Sequence, residues 1–414
     1  MKNCVIIGGG IIGLSSAYYL QKEGCDVTVV DKSNFSAGAS YVNAGYITPS
    51  HFIPLSQPGI ITKGLKWMFN PESPFYVKPR LDTDFLKWAW AFKKSSTKSK
   101  VEKAIPVLKD INVLSRNLYA EMKASGDFDF HYEKKGLLMF YKSDEVGEEE
   151  WNIGQRGIKE GLEVENLSVS EVKQLEPNVD FDIKGAVYFH SDAHMTPNTF
   201  MKDMCVYLKS KGVKFIPNEA VVDVELSNHS ISKIITDKQE LKADEVVLAA
   251  GSWSQLLSKK LGINIPLQAG KGYTINVERP TGITIPSILC EAKVAVTPMD
   301  RFTRFAGTME IAGINHTINP VRVKAIAKAA KSYYPNLEIQ KAEIDDVKCG
   351  LRPCSPDGMP YIGKSSKCKN LTIATGHAMM GWSLGPATGK LITQTLLSKQ
   401  LAMPIDAFHP DRKF

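Results

Sequence analysis

The sequence predicts an α/β fold: a Rossmann-like dinucleotide-binding domain, interrupted by insertions that build a second, antiparallel-sheet (α+β) domain. Three observations carry this expectation. The chain opens with an apolar strand that runs through glycines into a helix. A second buried strand of that kind returns only near residue 245, and the stretch between alternates irregularly between helical and strand-like patterns.

Taken in order, CVIIG (Cys4 to Gly8) reads as a buried strand and IIGLSSAYYLQKEG (Ile11 to Gly24) as a helix stopped by glycine. DVTVVDK (Asp26 to Lys32) reads as a second strand with an acid at its end. Gly8, Gly10 and Gly13 have the GxGxxG spacing, which serves a tight turn, close approach of a pyrophosphate and close helix–strand packing. Gly8, Gly9, Gly10, Ile11, Ile12 and Gly13 therefore form a cradle in which the diphosphate meets a helix N-terminus. Asp31 is placed to accept from a ribose diol, with Lys32 beside it, and an acid there disfavours a 2′-phosphate. FAD and NAD remain.

Further on, Asn218 to Ala243 reads as a small meander, and DEVVLAAGSWS (Asp244 to Ser254) as a Rossmann-type strand ending in a turn at Gly251. An NAD enzyme would continue directly with βα units, whereas a βαβ start completed by a late strand is a flavoprotein layout. That favours FAD. Leu371 to Leu397 reads as a strand, a glycine turn and a helix beginning near Ser383.

Composition narrows the class. Hydrophobic residues at 43% and charged residues at 23% are globular values, and the 51 basic residues are interleaved with 44 acidic ones, which argues against a nucleic-acid groove despite the net charge of +7. Seven scattered cysteines without a CxxC pair suit a reduced, cytoplasmic protein. No apolar run has the length of a membrane span.

Several stretches resemble one family in particular: SAGASYVNAGYITPS (Ser36 to Ser50), PGIITKGLKWMFNPESPF (Pro58 to Phe75), LDTDFLKWAW (Leu81 to Trp90) and KGYTINV (Lys271 to Val277). RFAGTMEIAG (Arg304 to Gly313), GLRPCSPDGMPYIG (Gly350 to Gly363) and NLTIATGHAMMGWSLGPATG (Asn370 to Gly389) continue the likeness. Together they resemble the FAD-dependent D-amino acid oxidase superfamily over essentially the whole length, and within it the bacterial D-amino acid dehydrogenases (small-subunit type). The resemblance implies noncovalent FAD, an amino acid substrate and an electron acceptor such as a quinone or electron-transfer chain. The expected division gives segments 1–55, 146–184, 196–256 and 345–414 to the FAD-binding domain. Segments 56–145 (substrate and cap), 185–195 (a single strand) and 257–344 fall to the substrate domain.

The chemistry then selects residues. A guanidinium fork holds a substrate carboxylate, and Arg352, in what reads as a loop, is the first choice, with Arg304 second. Tyr273 is expected to wall the pocket or bond the substrate. His377 is weighed as an acid–base group and read chiefly as a flavin-side turn residue, since hydride transfer from a neutral amine needs no strong base at Cα. Ser40, Asn43, Ala44 and Gly45 are expected to wrap the cofactor through their backbone, and Gly381, Trp382 and Ser383 to bring a helix N-terminus to its pyrimidine edge. The resemblance adds Val222, whose main chain is expected at the adenine. These assignments predict oxidative deamination of a D-amino acid, D-proline or D-hydroxyproline among them. The alternatives are an O2-using glycine or sarcosine-type oxidase and a non-catalytic flavoprotein scaffold, which would have no use for a carboxylate clamp.

Three signals are discounted. His190, Asp192 and His194 share one strand face but read as a turn, and no metal is expected. Cys349 lies near the position where sarcosine oxidases tether flavin, in a sequence of the noncovalent pattern. The aromatics around Trp67 to Phe69 and Phe85 to Phe92, followed by lysines, read as an amphipathic face against the second domain, or as a peripheral contact with the inner face of a membrane.

Overall fold

The computed structural model describes residues 1–68 and 70–414, without the side chains of Lys63, Leu65, Lys66 and Met68. Of the aromatic and lysine-rich stretch singled out above, Phe69 lies outside the described residues, as do those side chains.

The opening βαβ unit forms as its pattern requires, with strand Asn3–Ile7, helix Ile11–Lys22 and strand Asp26–Val30. These enter a six-stranded sheet in the order Lys214–Ile216, Asp26–Val30, Asn3–Ile7, Glu245–Leu248, Leu371–Thr375, Tyr361–Lys364. The first five run parallel and the last antiparallel. Both faces are covered, which is why these strands read as continuous apolar runs. Cys4 and Ile6 face a layer of helices that includes Ile11–Lys22, Pro197–Ser210 and Gly385–Leu396. Val5 and Ile7 face the meander Val221–Ser227, Ser230–Thr236 and the helix Ser254–Lys260.

The second sheet has nine strands. Its order is Lys348–Cys354, Gln268–Val277, Thr303–Ile311, Val294–Pro298, Ser287–Leu289, Leu137–Tyr141, Gly185–Phe189 and Val164–Ser168, with Phe75–Val77 alongside Met309–Ile311. It is antiparallel except at two joins, Ser287–Leu289 with Leu137–Tyr141 and Thr303–Ile311 with Phe75–Val77. Those joins come from segments far apart in sequence, so no hairpin dictates their direction.

Three expected segment boundaries shift. Val164–Ser168, assigned above to the FAD-binding segment 146–184, pairs with Gly185–Phe189 in the second sheet. Lys348–Cys354, assigned to 345–414, pairs with Gln268–Val277 there. Conversely, helix Lys98–Ser125, assigned to the cap, buries Leu108, Ile111, Leu118 and Tyr119 in the core of the first domain. Backbone pairing and side-chain burial, not sequence proximity, decide each case. A third, three-stranded sheet joins Tyr46–Ile47, Ala193–Met195 and Tyr132–Glu133, so the expected strand 185–195 divides between two sheets.

Candidate active site

One cavity of about 930 Å³ runs between the two larger sheets, lined at one end by Gly8 to Ile12, Asp31 and Val222 and at the other by Thr308, Met309 and Arg352. The nucleotide end is backbone-rich. Gly8 sits at φ +110°, and a Cβ there would stand 2.4 Å from the Ala249 carbonyl oxygen of the next strand. The Asp31 carboxylate accepts from Gly9 N–H at 2.6 Å and from Ser33, which fixes it at the strand end with lone pairs to spare for a sugar diol. Ser40 Oγ accepts from Ile11 N–H at 3.0 Å and so docks the following loop onto the helix start.

Beside the acid, the Lys32 ammonium lies 3.1 Å from the centroid of Trp253, and burial lowers its pKa against the pull of Asp31. In the meander, the register shifts between Val221 and Asp223, so Val222 stands at a bulge, on the lining of the cavity. Ser40, Asn43, Ala44, Gly251, Gly381, Trp382 and Ser383 line the cavity as well. Gly13 and Gly45 do not. A Cβ on Gly13 would strike the Gly8 carbonyl and one on Gly45 the Met195 carbonyl, so both serve backbone packing, and the expected contact of Gly45 with the cofactor gives way to that role.

At the other end Arg352 stands in a strand, not the expected loop. Its guanidinium lies flat over Gly272 of the neighbouring strand, where an added Cβ would come within 2.5 Å of Nη1, Nη2 and Cζ. Nη1 donates to the Thr308 carbonyl at 2.5 Å. That carbonyl is aimed by a bulge, since Lys271 pairs with Glu310 and Tyr273 with Gly307, and Thr308 is carried at φ +70°. A β-branched residue at that angle is strained, and here the strain orients the support of the guanidinium. Burial lowers the Arg352 pKa, and among the described residues no carboxylate pairs with it.

The other expected catalytic residues are placed differently. Arg304 is buried outside the cavity lining, its Nε on Asn276 Oδ1 at 3.0 Å and its Nη1 on the carbonyls of Asn43 and Tyr41. It braces the cofactor loop from outside the cavity lining, and burial holds its pKa down to about 10. Tyr273 points to the opposite side of its strand from Gly272 and Thr274, because side chains alternate. There its hydroxyl donates to Glu310 at 2.7 Å, and its pKa is raised by burial first and by that bond second. His377 lines the cavity, shares a hydrogen bond between Nε2 and Thr388 Oγ1 at 2.9 Å, and has its pKa held near 3 by burial. Cys349 Sγ turns to the His316 carbonyl.

His190, Asp192 and His194 do not converge. His190 lies against Tyr188, Asp192 bonds Ser50, and His194 lies beside Glu133, whose carboxylate Lys135 holds at 2.7 Å. Two residues that matter were missed by reading the sequence: Gly272, whose only signal is its place before Tyr273, and His51, a single histidine in a loop.

The family model described as FAD dependent oxidoreductase matches residues 3–395. The chain belongs to that family. FAD is accordingly the cofactor, and the glycine cradle, Asp31 and Val222 at the meander bulge are the groups that would hold it. The D-amino acid dehydrogenase of Helicobacter pylori is 32% identical over 394 residues, covering 94% of each chain. That of Vibrio vulnificus strain CMCP6 is 32% identical over 412 residues, covering 97% of each. Among solved structures, the glycine oxidase of Geobacillus kaustophilus matches with a TM-score of 0.79 at 19% identity, covering 100% of this chain and 99% of its own. The L-proline dehydrogenase of P. horikoshii matches with 0.76 at 19% identity, covering 99% and 96%. These two likenesses speak for the fold.

Proposed function

We propose that this FAD-dependent oxidoreductase is a D-amino acid dehydrogenase. It oxidises the Cα–N bond of a D-amino acid, with D-proline and D-hydroxyproline among the substrates, to an imine that hydrolyses to the 2-oxo acid. The observation that carries the reading is Arg352, an unpaired guanidinium in the wall of the same cavity that holds the dinucleotide cradle. A cation desolvated by burial, with no counter-charge among the described residues, calls for an anionic ligand. Its remaining donors form a planar fork that matches a carboxylate and fixes both its position and its rotation. The naming of the 32%-identical relatives supports the amino acid class.

When bound, FAD supplies the acceptor for the hydride from Cα. The chain does the rest. Arg352 orients the substrate, and Ile60, Trp67, Pro74, Phe75 and Met309 give the cavity apolar walls that exclude water. Gly381 to Ser383 lie on the cavity wall just before helix Gly385–Leu396, whose positive dipole end favours negative charge there. Cofactor attachment is noncovalent on this reading, since the Cys349 thiol faces a backbone carbonyl.

The electrons pass to a quinone or electron-transfer chain at a membrane surface. The support is the helix Thr83–Ser95, which divides its aromatics. Trp88 is buried and donates to the Cys354 carbonyl, whereas Trp90 is 60% and Leu86 52% exposed, with Lys93 and Lys94 over the Trp90 ring. Exposed apolar side chains flanked by lysines suit an anionic bilayer. No helix among the described residues is long and apolar enough to cross a membrane. The deciding experiment is anaerobic bleaching of the bound flavin by D- and L-amino acids, glycine and sarcosine, followed by comparison of O2 with a quinone or dye as acceptor. Bleaching by D-amino acids and turnover that needs the dye are expected. A flavin that no amino acid reduces sinks the reading, and rapid peroxide formation converts it to an oxidase.

A further inference from the structure

His51 lines the cavity and belongs to a chain of hydrogen bonds that the clamp does not use. Its Nδ1 meets Ser50 Oγ at 2.9 Å, Ser50 O–H donates to Asp192 Oδ2 at 2.5 Å, and Ser50 N–H donates to Asp192 Oδ1 at 3.0 Å. Asp192 is 1% exposed. The pairing of Tyr46–Ile47 with Ala193–Met195 holds the two ends of this chain together.

With Asp192 ionised, the protons have one arrangement. A carboxylate only accepts, and the single Ser50 hydroxyl proton goes to it, so Ser50 Oγ accepts from His51 Nδ1–H and Nε2 is left as the ring's acceptor. The Arg352 clamp lines the same cavity. Lys293, whose charge His51 senses, precedes the strand Val294–Pro298, in which Ala295 pairs with Ala306, two residues from the Thr308 that supports Arg352.

We propose that His51 takes the proton from the substrate's ammonium group and passes it through Ser50 to Asp192, so that the amine is neutral when Cα is oxidised. This rests on the amino acid reading above. The N–H bond of the ammonium breaks and its electron pair stays on nitrogen. That proton joins Nε2 while the Nδ1 proton moves to Ser50 Oγ and the Ser50 proton moves to Asp192 Oδ2. One proton is transferred in all, with no change of oxidation state.

The electrostatics agree. Burial pushes the Asp192 carboxyl up to about 7, with the Ser50 bonds and Arg116 opposing it, which suits a proton store near neutral pH. Burial and then Lys293 hold His51 down to about 4, so the ring transmits the proton and the carboxylate keeps it. Among the described residues Lys293, itself 3.4 Å from Glu150 Oε1, is the charged group acting on His51, and Arg116 and Tyr46 act with Asp192.

The test is flavin reduction by a D-amino acid, followed anaerobically against pH. The wild-type rate should rise through about 7, where the buried Asp192 carboxyl gives up its proton. His51→Ala should lose about 100-fold or more near neutral pH, as general base catalysis is worth, and recover at high pH, where the free amino acid loses its own proton. Ser50→Ala, which keeps the ring, should shift the profile the same way. A readout without turnover uses 2-methylalanine, which has no Cα–H. Its binding should raise a carboxylic-acid band in the infrared difference spectrum that is missing in Asp192→Asn. A wild-type pH profile in His51→Ala, or no such band, overturns the relay while leaving the functional reading intact. A wild-type flavin that no amino acid bleaches brings down both.

Discussion

The sharpest single perturbation is Gly272→Ala. Its backbone is not in the left-handed region, so alanine meets no conformational strain, and its Cβ would lie within 2.5 Å only of the guanidinium of Arg352, the far end of a flexible side chain. Folding therefore yields at little cost, within about 1 kcal/mol. Function does not, because the guanidinium must leave the position that the Thr308 carbonyl fixes. Each charge-assisted hydrogen bond to a carboxylate is worth about 1.5–3 kcal/mol, so misaligning the pair enough to lose about one of its two bonds should cost about 2–3 kcal/mol in substrate binding. At 1.4 kcal/mol per tenfold this weakens the dissociation constant for a D-amino acid roughly 30- to 140-fold. Anaerobic stopped-flow reduction at varied substrate reads that constant, and thermal unfolding with bound flavin checks the fold. Because both changes act through one group, Gly272→Ala in an Arg352→Ala background should add almost nothing. An unchanged dissociation constant in Gly272→Ala, or full additivity in the double variant, refutes the argument.

Other expectations follow from the same contacts. Gly8→Ala combines a φ of +110° with a Cβ 2.4 Å from a backbone carbonyl that cannot move, so it should purify without flavin or fail to fold, read from the ratio of visible to ultraviolet absorbance. Asp192 has its carboxyl raised to about 7 in the folded state from an ordinary 3.8. The folded protein therefore holds a proton that the unfolded chain has released, and stability falls as pH rises from about 4 through about 7, by up to about 4 kcal/mol. Melting temperatures should show that slope in the wild type and a flatter one in Asp192→Asn. Trp90→Ala with Lys93→Glu and Lys94→Glu should lower co-sedimentation with anionic vesicles about tenfold or more and leave flavin reduction in solution unchanged. Equal binding of the triple variant would remove helix Thr83–Ser95 from the membrane reading.

The local devices were legible because their causes are local. The spacing of Gly8, Gly10 and Gly13, the acid at the end of Asp26–Val30 and the two-residue alternation of the meander are imposed by turn sterics and strand geometry within a few residues. Arg352 could be singled out for a similar reason, as a guanidinium in a glycine- and proline-flanked stretch, although its strand was read as a loop. Arg304 and Tyr273 look equally good in sequence. Whether each faces the cavity depends on register, and the bulge at Thr308 sets that register through partners about forty residues away in Gln268–Val277. Segment boundaries shifted for the same cause, as with Val164–Ser168, whose neighbour is chosen by pairing across sheets.

By itself, then, the sequence determined that a dinucleotide-binding βαβ unit opens the chain, because glycine spacing and strand alternation enforce it, and it offered Arg352 as a candidate guanidinium through its chemistry and its glycine- and proline-flanked stretch. Only the tertiary structure decided that Gly272 lets that guanidinium lie flat, that Arg304 is spent on loop carbonyls, and that His51 stands in line with Ser50 and Asp192. These depend on hydrogen bonds and close approaches between segments separated by up to about 260 positions, and no local pattern encodes which of them meet.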